Sequence, residues 1–262
     1  MWFIKDSEGI KRVSAVYLMM LFIIGSVIKA AIIPLSRANF LYFGPCLALY
    51  LFIAVLVFTS HLQSMLTDPG SLPLNSFEIS NPDSKISTQV CLRCKCIKNL
   101  RTHHCSKCQR CISKMDHHCR WINNCVGFYT QKHFVLFLVY SLIGMTFSFS
   151  LLLVRIGVCG RYKSSSICSS SNYENYIDLS LGIPSSISIL GFFLFILKVL
   201  EEQISYIRYN ISTIDLLKKT PIENRSLITN LQETFGGKFS PLWFLPIRIN
   251  KTSDSHVIIA EI

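Results

Sequence analysis

The chain has 262 residues, half of them apolar (AVILMFWYC) and only 16% charged. Soluble domains are about a quarter charged, so an ordinary soluble globule is excluded, and 18 Phe with 10 Tyr exclude disorder. The net charge of +11, from 26 Lys+Arg against 15 Asp+Glu, points on so apolar a chain to membrane topology and anionic headgroups before nucleic acid.

A basic segment over residues 1–12, with Lys5, Lys11 and Arg12, precedes the first of four apolar stretches. These are Val13–Ile33, Leu41–Ser60, His133–Leu153 and Leu179–Leu200. Each holds about 20 residues, which as a helix cover ~30 Å, the thickness of the hydrocarbon core. The first is longer than the apolar run of a signal peptide and no small-residue cleavage site follows it, so it is expected to be a retained anchor. Lys29 and Lys198 near span ends can snorkel to the interface. Gly25, Pro45, Gly144 and Pro184 within or near spans are tolerated in membrane helices. The chain thus divides into an N-terminal segment (1–12), helices 1 and 2 (13–60), a loop (61–132) with a cysteine-rich core (91–127), helices 3 and 4 with their connection (133–200), and a C-terminal segment (201–262).

Basic residues set the sidedness. Twenty Lys and Arg lie in residues 1–12, 61–132 and 201–262, against Arg37, Arg155, Arg161 and Lys163 on the opposite side. Both termini and the cysteine-rich loop are therefore expected in the cytosol. The sequons at Asn210, Asn224 and Asn250 all fall on that side, where they are inert. Cys159 and Cys168 flank a serine-rich run on the far side, where they are either joined by an oxidising lumen or left as two free thiols. Glu201–Lys219 reads as a continuing helix, amphipathic to Leu217 and packed on the cysteine-rich loop or the membrane. Lys251–Ile262 carries no pattern.

Eight of the 11 cysteines lie between Cys91 and Cys125. A segment with so few apolar groups cannot build a core, so metal must supply the folding energy. On the cytosolic side, thiolate–zinc coordination is favoured over disulfides. Neighbouring side chains of an extended segment point to opposite faces, so His104 and Cys105 should serve different ions. Cys91 and Cys94 then take His104 and Cys111, while Cys105 and Cys108 take His118 and Cys125. Both are closed Cys3His sets, a structural pattern. Cys96 and Cys119 are left over, Cys96 as a solvated or oxidisable thiol. Cys119 shares a face with His117, because His118 turns to zinc, and a histidine beside an unligated cysteine is the arrangement of a nucleophile. A free thiol of pKa about 8.5 is only ~3% thiolate at pH 7, so a basic neighbour matters. Asp116 is placed to hold the His117 ring in the useful tautomer. The competing reading makes Cys119 a ninth, redundant ligand.

Asp116-His117-His118-Cys119, set in this cysteine-rich frame between the second and third of four spans, resembles the DHHC protein S-acyltransferases, or palmitoyltransferases. Thr67-Asp68-Pro69-Gly70 after span two and Trp121, Asn124, Cys125, Val126 and Gly127 after the nucleophile continue the likeness. So do Ser212-Thr213-Ile214-Asp215, similar to the family's Thr-Thr-x-Glu motif, and Asn230–Gly236 with Trp243–Pro246 beyond. The resemblance implies an α-helical polytopic membrane protein with four transmembrane helices and a cytosolic two-zinc domain between helices 2 and 3. It implies that Cys119 takes an acyl group from a long-chain acyl-CoA such as palmitoyl-CoA, with His117 as base oriented by Asp116. The group then passes to a cytosolic cysteine of a membrane-associated substrate protein. Two structural Zn2+ ions, a cavity for the acyl chain among the spans with Trp121 near its mouth, and CoA phosphates met by Lys98 and Arg101 follow from the same likeness. So does residence in the endoplasmic reticulum or Golgi membrane, or the plasma membrane, among membrane lipids.

The chain departs from the family at Arg120, where Pro is usual, and at Asn99, where Pro is common. Arg120 either lowers the Cys119 pKa through its charge or perturbs the loop. Three other readings compete. A membrane-tethered, ubiquitin-ligase-like zinc module leaves Asp116, His117 and Cys119 without purpose, and a small transporter lacks buried acidic residues in its spans. Nucleic-acid binding is disfavoured because C2H2 spacing is absent.

Overall fold

A computed structural model describes residues 2–38, 40–76, 89–98, 100–162, 168, 172–220 and 224–248. Asn99, Lys163, Asn250 and Lys251–Ile262 lie outside the described residues. In chain order, helix α1 (Ser7–Val27) leads through a π-helical stretch (Ile28–Ile32) to α2 (Ile33–Ala38), and α3 spans Phe40–Leu66. Six short strands follow: β1 (Gln89–Cys91), β2 (Cys96–Lys98), β3 (His103–Cys105), β4 (Arg110–Ile112), β5 (His117–Cys119) and β6 (Asn124–Val126). Then come α4 (Gln131–Arg161), α5 (Asn172–Tyr209), α6 (Thr213–Lys218), α7 (Leu227–Phe235) and a 3-10 turn, Pro241–Phe244.

Four helical segments are long and apolar enough to cross a membrane: Ser7–Ser36, Leu41–Leu66, Gln131–Arg161 and Tyr176–Tyr209. They overrun the expected spans at their ends, and some of the added turns are polar. The end of α3, for example, buries Ser60, His61 and Ser64 completely. Ser64 Oγ donates to the Ser60 carbonyl at 2.8 Å and His61 Nε2 lies 3.1 Å from the Trp121 carbonyl. The helix predicted to run on from Glu201 to Lys219 is broken. Asn210 takes a left-handed conformation (φ 53°), and Ser212 starts a new helix as its N-cap in a capping box with Asp215.

The contacts divide the chain into two units, with every boundary inside one of the long helices. One unit comprises Ser14–Thr59 and Phe137–Glu201. Its core gathers Ile23, Val27, Ala30, Ala31, Ile32, Tyr50, Leu152 and Ile189, and the Tyr50 hydroxyl meets Ser148 Oγ at 3.1 Å. The π-helical stretch precedes Pro34, which has no N–H to give the helix ladder, and the Ile33 N–H reaches back to the Ile28 carbonyl instead. Outward positions such as Leu18, Phe52, Ile187 and Leu194 are exposed and apolar, as a lipid-facing surface requires. Cys159 and Cys168 are joined by a disulfide, which decides the alternative the sequence left open. Arg155 pairs with Asp178 at 2.6 Å.

The other unit comprises Met1–Val13, Ser60–Leu136 and Glu202–Ile262. Its strands form three separate antiparallel hairpins, β1–β2, β3–β4 and β5–β6. The Asp68-Pro69-Gly70 turn packs beside them: Asp68 accepts the Gly70 and Ser71 N–H groups at 2.9 and 2.7 Å. Gly127 is required there, because a Cβ would sit 2.6 Å from the Pro69 carbonyl oxygen. Asn124 is a hub. Its amide donates to the carbonyls of Ser64, Met65 and Thr67, satisfying orphan acceptors at the end of α3. Its Oδ1 accepts the Cys125 N–H and the Trp2 indole N–H, at 2.8 and 2.9 Å.

Candidate active site

Each hairpin joins two three-residue strands through four residues, the last of them left-handed: Lys95 (φ 49°), Gln109 (φ 54°) and Asn123 (φ 48°). The register sets Cys91 opposite Cys96, His104 opposite Cys111 and His118 opposite Cys125. The hairpins repeat at a constant spacing, so that Cys91, Cys105 and Cys119 are equivalent, as are Cys94, Cys108 and Ile122, and Ile97, Cys111 and Cys125. Isolated hairpins this short are not stable in water, and a shared metal is the natural means of joining them.

Two groups of side chains can each hold a metal ion: Cys91, Cys94, His104 and Cys111, and Cys105, Cys108, His118 and Cys125. Within each group all ligand atoms lie within 4.8 Å of one another. In the first, His104 Nδ1 is 3.7 Å from the Cys91 sulfur, 3.2 Å from Cys94 and 4.0 Å from Cys111. In the second, His118 Nδ1 lies 3.6, 3.4 and 3.7 Å from Cys105, Cys108 and Cys125. A tetrahedron with metal bonds of 2.0–2.3 Å has edges of about 3.5–3.8 Å, so both cages fit a zinc-sized ion. Every group is built from the two cysteines at the turn of one hairpin and the His and Cys that face each other across the next.

Cys119 belongs to neither group. It ends β5, is buried, and stands close enough to His117 for its charge to act on that ring. His117 Nδ1 donates to Asp116 Oδ2 at 2.8 Å, which leaves Nε2 for the thiol. Asp116 is only 4% exposed and accepts four donors. Oδ1 takes the Thr213 N–H at 2.9 Å and hydroxyl at 2.8 Å, and Oδ2 takes His117 and the Gln203 amide at 2.9 Å. Burial alone would raise the Asp116 pKa. The hydrogen bond and charge of His117, with the Thr213 and Gln203 donors, outweigh it and hold the carboxyl below its ordinary value. Burial would likewise lower His117, but its hydrogen bonds to Asp116 and Cys119 and their charges push it up to about 10.

The remaining expected site residues are arranged as follows. Arg101 donates to Asp215 Oδ2 through Nε and Nη2, at 2.9 and 2.6 Å, and to Asn210 Oδ1 through Nη1 at 2.9 Å. It therefore braces the hairpins against the break between α5 and α6. Lys98 ends β2 and is half-buried. Trp121 is partly exposed, and the Arg12 guanidinium lies 5.8 Å from its ring centre. Arg120 is exposed. Cys96, expected to be a solvated or oxidisable thiol, is not solvated but fully buried, because β1–β2 pairing turns it inward beside the first cage. Lys114 forms a nearly buried pair with Glu233 at 2.9 Å, and burial lowers its pKa against the raising effect of that partner. Asn230 in α7 donates to the Arg208 carbonyl at 3.3 Å, near the end of α5. Sequence reasoning did not single out Gln203 or the Thr213–Asp116 contact. Gln203 follows Glu201 and Glu202 in a polar stretch of α5, where nothing local sets it apart.

A family model described as DHHC palmitoyltransferase matches residues 84–220. Among curated proteins, the chain is similar to palmitoyltransferase ZDHHC7 of Mus musculus, 34% identical over 255 residues that cover 94% of this chain and 80% of that protein. It is also similar to palmitoyltransferase ZDHHC3-A of Danio rerio, 32% identical over 94% of this chain and 78% of the relative. With palmitoyltransferase PFA4 of Candida glabrata it shares 43% identity, over 44% of this chain and 30% of that protein.

Proposed function

From the premise that this chain belongs to the DHHC palmitoyltransferase family, we propose that it is a protein S-acyltransferase whose nucleophile is Cys119. One observation carries the reading: Cys119 stands outside both metal cages, beside a histidine that is itself held by a buried carboxylate.

In the first half-reaction His117 Nε2 receives the Cys119 proton and the thiolate sulfur attacks the thioester carbonyl of a long-chain acyl-CoA. The new bond joins the acyl carbon to Cys119 Sγ. The bond to the CoA sulfur breaks, and the leaving thiolate takes the proton from His117. In the second, His117 removes the proton of a substrate cysteine. The resulting thiolate takes the acyl group, and the proton returns to Cys119. A thioester is exchanged for a thioester, so the site supplies thiolate and alignment rather than driving force. Asp116 keeps the imidazole in the tautomer and orientation that present Nε2 to the sulfur.

Cys91, Cys94, His104 and Cys111 would hold one zinc ion, and Cys105, Cys108, His118 and Cys125 a second. Bound zinc supplies folding energy to hairpins that have little core of their own. Lys98 and Arg101 offer cations to CoA phosphates, and Trp121 offers the acyl chain an apolar face. The positive-inside pattern supports a cytosolic location for the hairpins and both termini, and the family resemblance supports an endoplasmic reticulum, Golgi or plasma membrane. The protein substrates are membrane-associated proteins with cytosolic cysteines.

The test is incubation of the purified protein with labelled palmitoyl-CoA. Hydroxylamine-labile label is expected on the wild type and none on Cys119→Ser. Equal labelling of Cys119→Ser would overturn the assignment.

A further inference from the structure

Asp116 has four donors, and only one of them comes from the long helices. Gln203, near the end of α5, is completely buried, and its Nε2 lies 2.9 Å from Asp116 Oδ2, the same oxygen that receives His117 Nδ1. The other two donors, both from Thr213, go to Oδ1. Removing Gln203 therefore leaves Oδ2 tied to His117 alone, and the carboxylate free to turn about its own Cβ–Cγ bond toward the Thr213 side. The opposite end of the Gln203 amide, Oε1, is buried and meets no donor among the described residues. An unpaired buried carbonyl costs stability, and an apolar side chain of the same shape would pack without that cost. The amide is thus a poor choice for packing and a good one for the carboxylate. A carboxylate only accepts, so the amide must point Nε2 toward Asp116, which fixes which of its ends is left unpaired.

Resting on the acyltransferase reading above, we propose that Gln203 is a positioning residue for thioester exchange. It fixes the Asp116 oxygen that orients His117, and so sets how often Nε2 faces the Cys119 sulfur. Because its hydrogen bond goes to the carboxylate, it acts on the rate of thiolate supply and not on the binding of acyl-CoA.

Two isosteric changes separate this role from packing. Gln203→Met keeps the shape and removes the donor, whereas Gln203→His keeps an N–H donor on a different frame. Acyl-Cys119 formation is followed at saturating palmitoyl-CoA, and carbamidomethylation of the same thiol by iodoacetamide is followed by peptide mass spectrometry. Both rates should fall about ten- to a hundredfold in Gln203→Met, the worth of one hydrogen bond to a charged group. The palmitoyl-CoA concentration for half-saturation should not move, and the bound metal should stay at two ions per chain. Gln203→His should restore both rates to within about threefold of wild type. If Gln203→Met loses metal, Gln203→Asn takes its place, since its shorter amide cannot reach Oδ2, and the same losses are expected. Wild-type rates in a metal-replete Gln203→Met or Gln203→Asn overturn the proposal. So does a loss confined to half-saturation, or a Gln203→His protein as slow as Gln203→Met. The alkylation arm needs no acyl-CoA. Failure of the wild type to acylate at all therefore counts against the acyltransferase reading and leaves the positioning role to be judged by iodoacetamide alone.

Discussion

The second and third hairpins have the same strand lengths, the same left-handed turn position and the same register, yet one ends in a ligand and the other in a free thiol. Cys105 begins a Cys-x2-Cys pair with Cys108, and the His and Cys of the next hairpin complete its cage. Cys119 occupies the equivalent place, but its partner position is Ile122, fully buried, and among the described residues no fourth hairpin follows. In the proposed reading, the nucleophile is what remains where a series of metal knuckles stops. The third hairpin also differs in what surrounds its leftover thiol. Asp116 stands where the second hairpin has Thr102, and Thr213 and Gln203 reach that carboxylate.

The largest effects come from exchanging the two equivalent cysteines for serine. Cys105→Ser should lose the second ion and, with it, the fold of the hairpin series, because structural zinc contributes on the order of 10 kcal/mol. Cys119→Ser should keep two ions by elemental analysis and an unchanged melting transition while losing all acyl label. Next, Asp116→Asn is expected to slow Cys119 acylation by about 10³-fold, through the wrong imidazole tautomer, as in other carboxylate–histidine pairs. Thr102→Val, at the equivalent place, should leave that rate unchanged.

Ile122→Cys rebuilds the missing half of a Cys-x2-Cys pair around the nucleophile. With His117 as a third donor it should capture added zinc, raise the metal content above two, and lower acylation at least about tenfold where the wild type is unaffected. An Ile122→Cys protein that ignores zinc would break the equivalence of the hairpins. The smallest effect concerns Lys114. Glu233→Gln should lower unfolding free energy by about 1–3 kcal/mol near neutral pH, because it leaves a nearly buried ammonium without its main partner. The lysine's pKa is lowered in the fold, so the unfolded chain binds more protons and stability rises with pH through the folded value. The deficit of Glu233→Gln should therefore shrink toward pH 10, measured by chemical denaturation across a pH series.

How much of this was legible in the sequence differs between local and remote contacts. Cysteine spacing and strand alternation are local, and the eight residues they group gather in the same two sets. The four membrane-crossing helices follow from apolar length, although their polar end turns do not, since Ser60, His61 and Ser64 read as solvent-facing until Trp121 and the hairpins are packed against them. The constant spacing of Cys91, Cys105 and Cys119 was present to be read. Its turns were obscured because Lys95, Gln109 and Asn123 adopt left-handed backbone without glycine. Arg101 shows the limit most clearly. As a basic residue beside the cysteines it suits a phosphate, and only the approach of Asp215 and Asn210, more than a hundred residues away in sequence, reveals it as a brace. The place of Gln203 beside Asp116 is likewise a product of tertiary packing, with no local sequence signal.

The middle hairpin sends His104 and Cys111 to one cage and Cys105 and Cys108 to the other. Two ions held there could not depart separately, since losing one would loosen the grip on its neighbour, so extraction should proceed as one event. A membrane starved of zinc would then contain two populations, intact molecules and collapsed ones. Output would scale with the headcount of the first, while each survivor kept its full turnover.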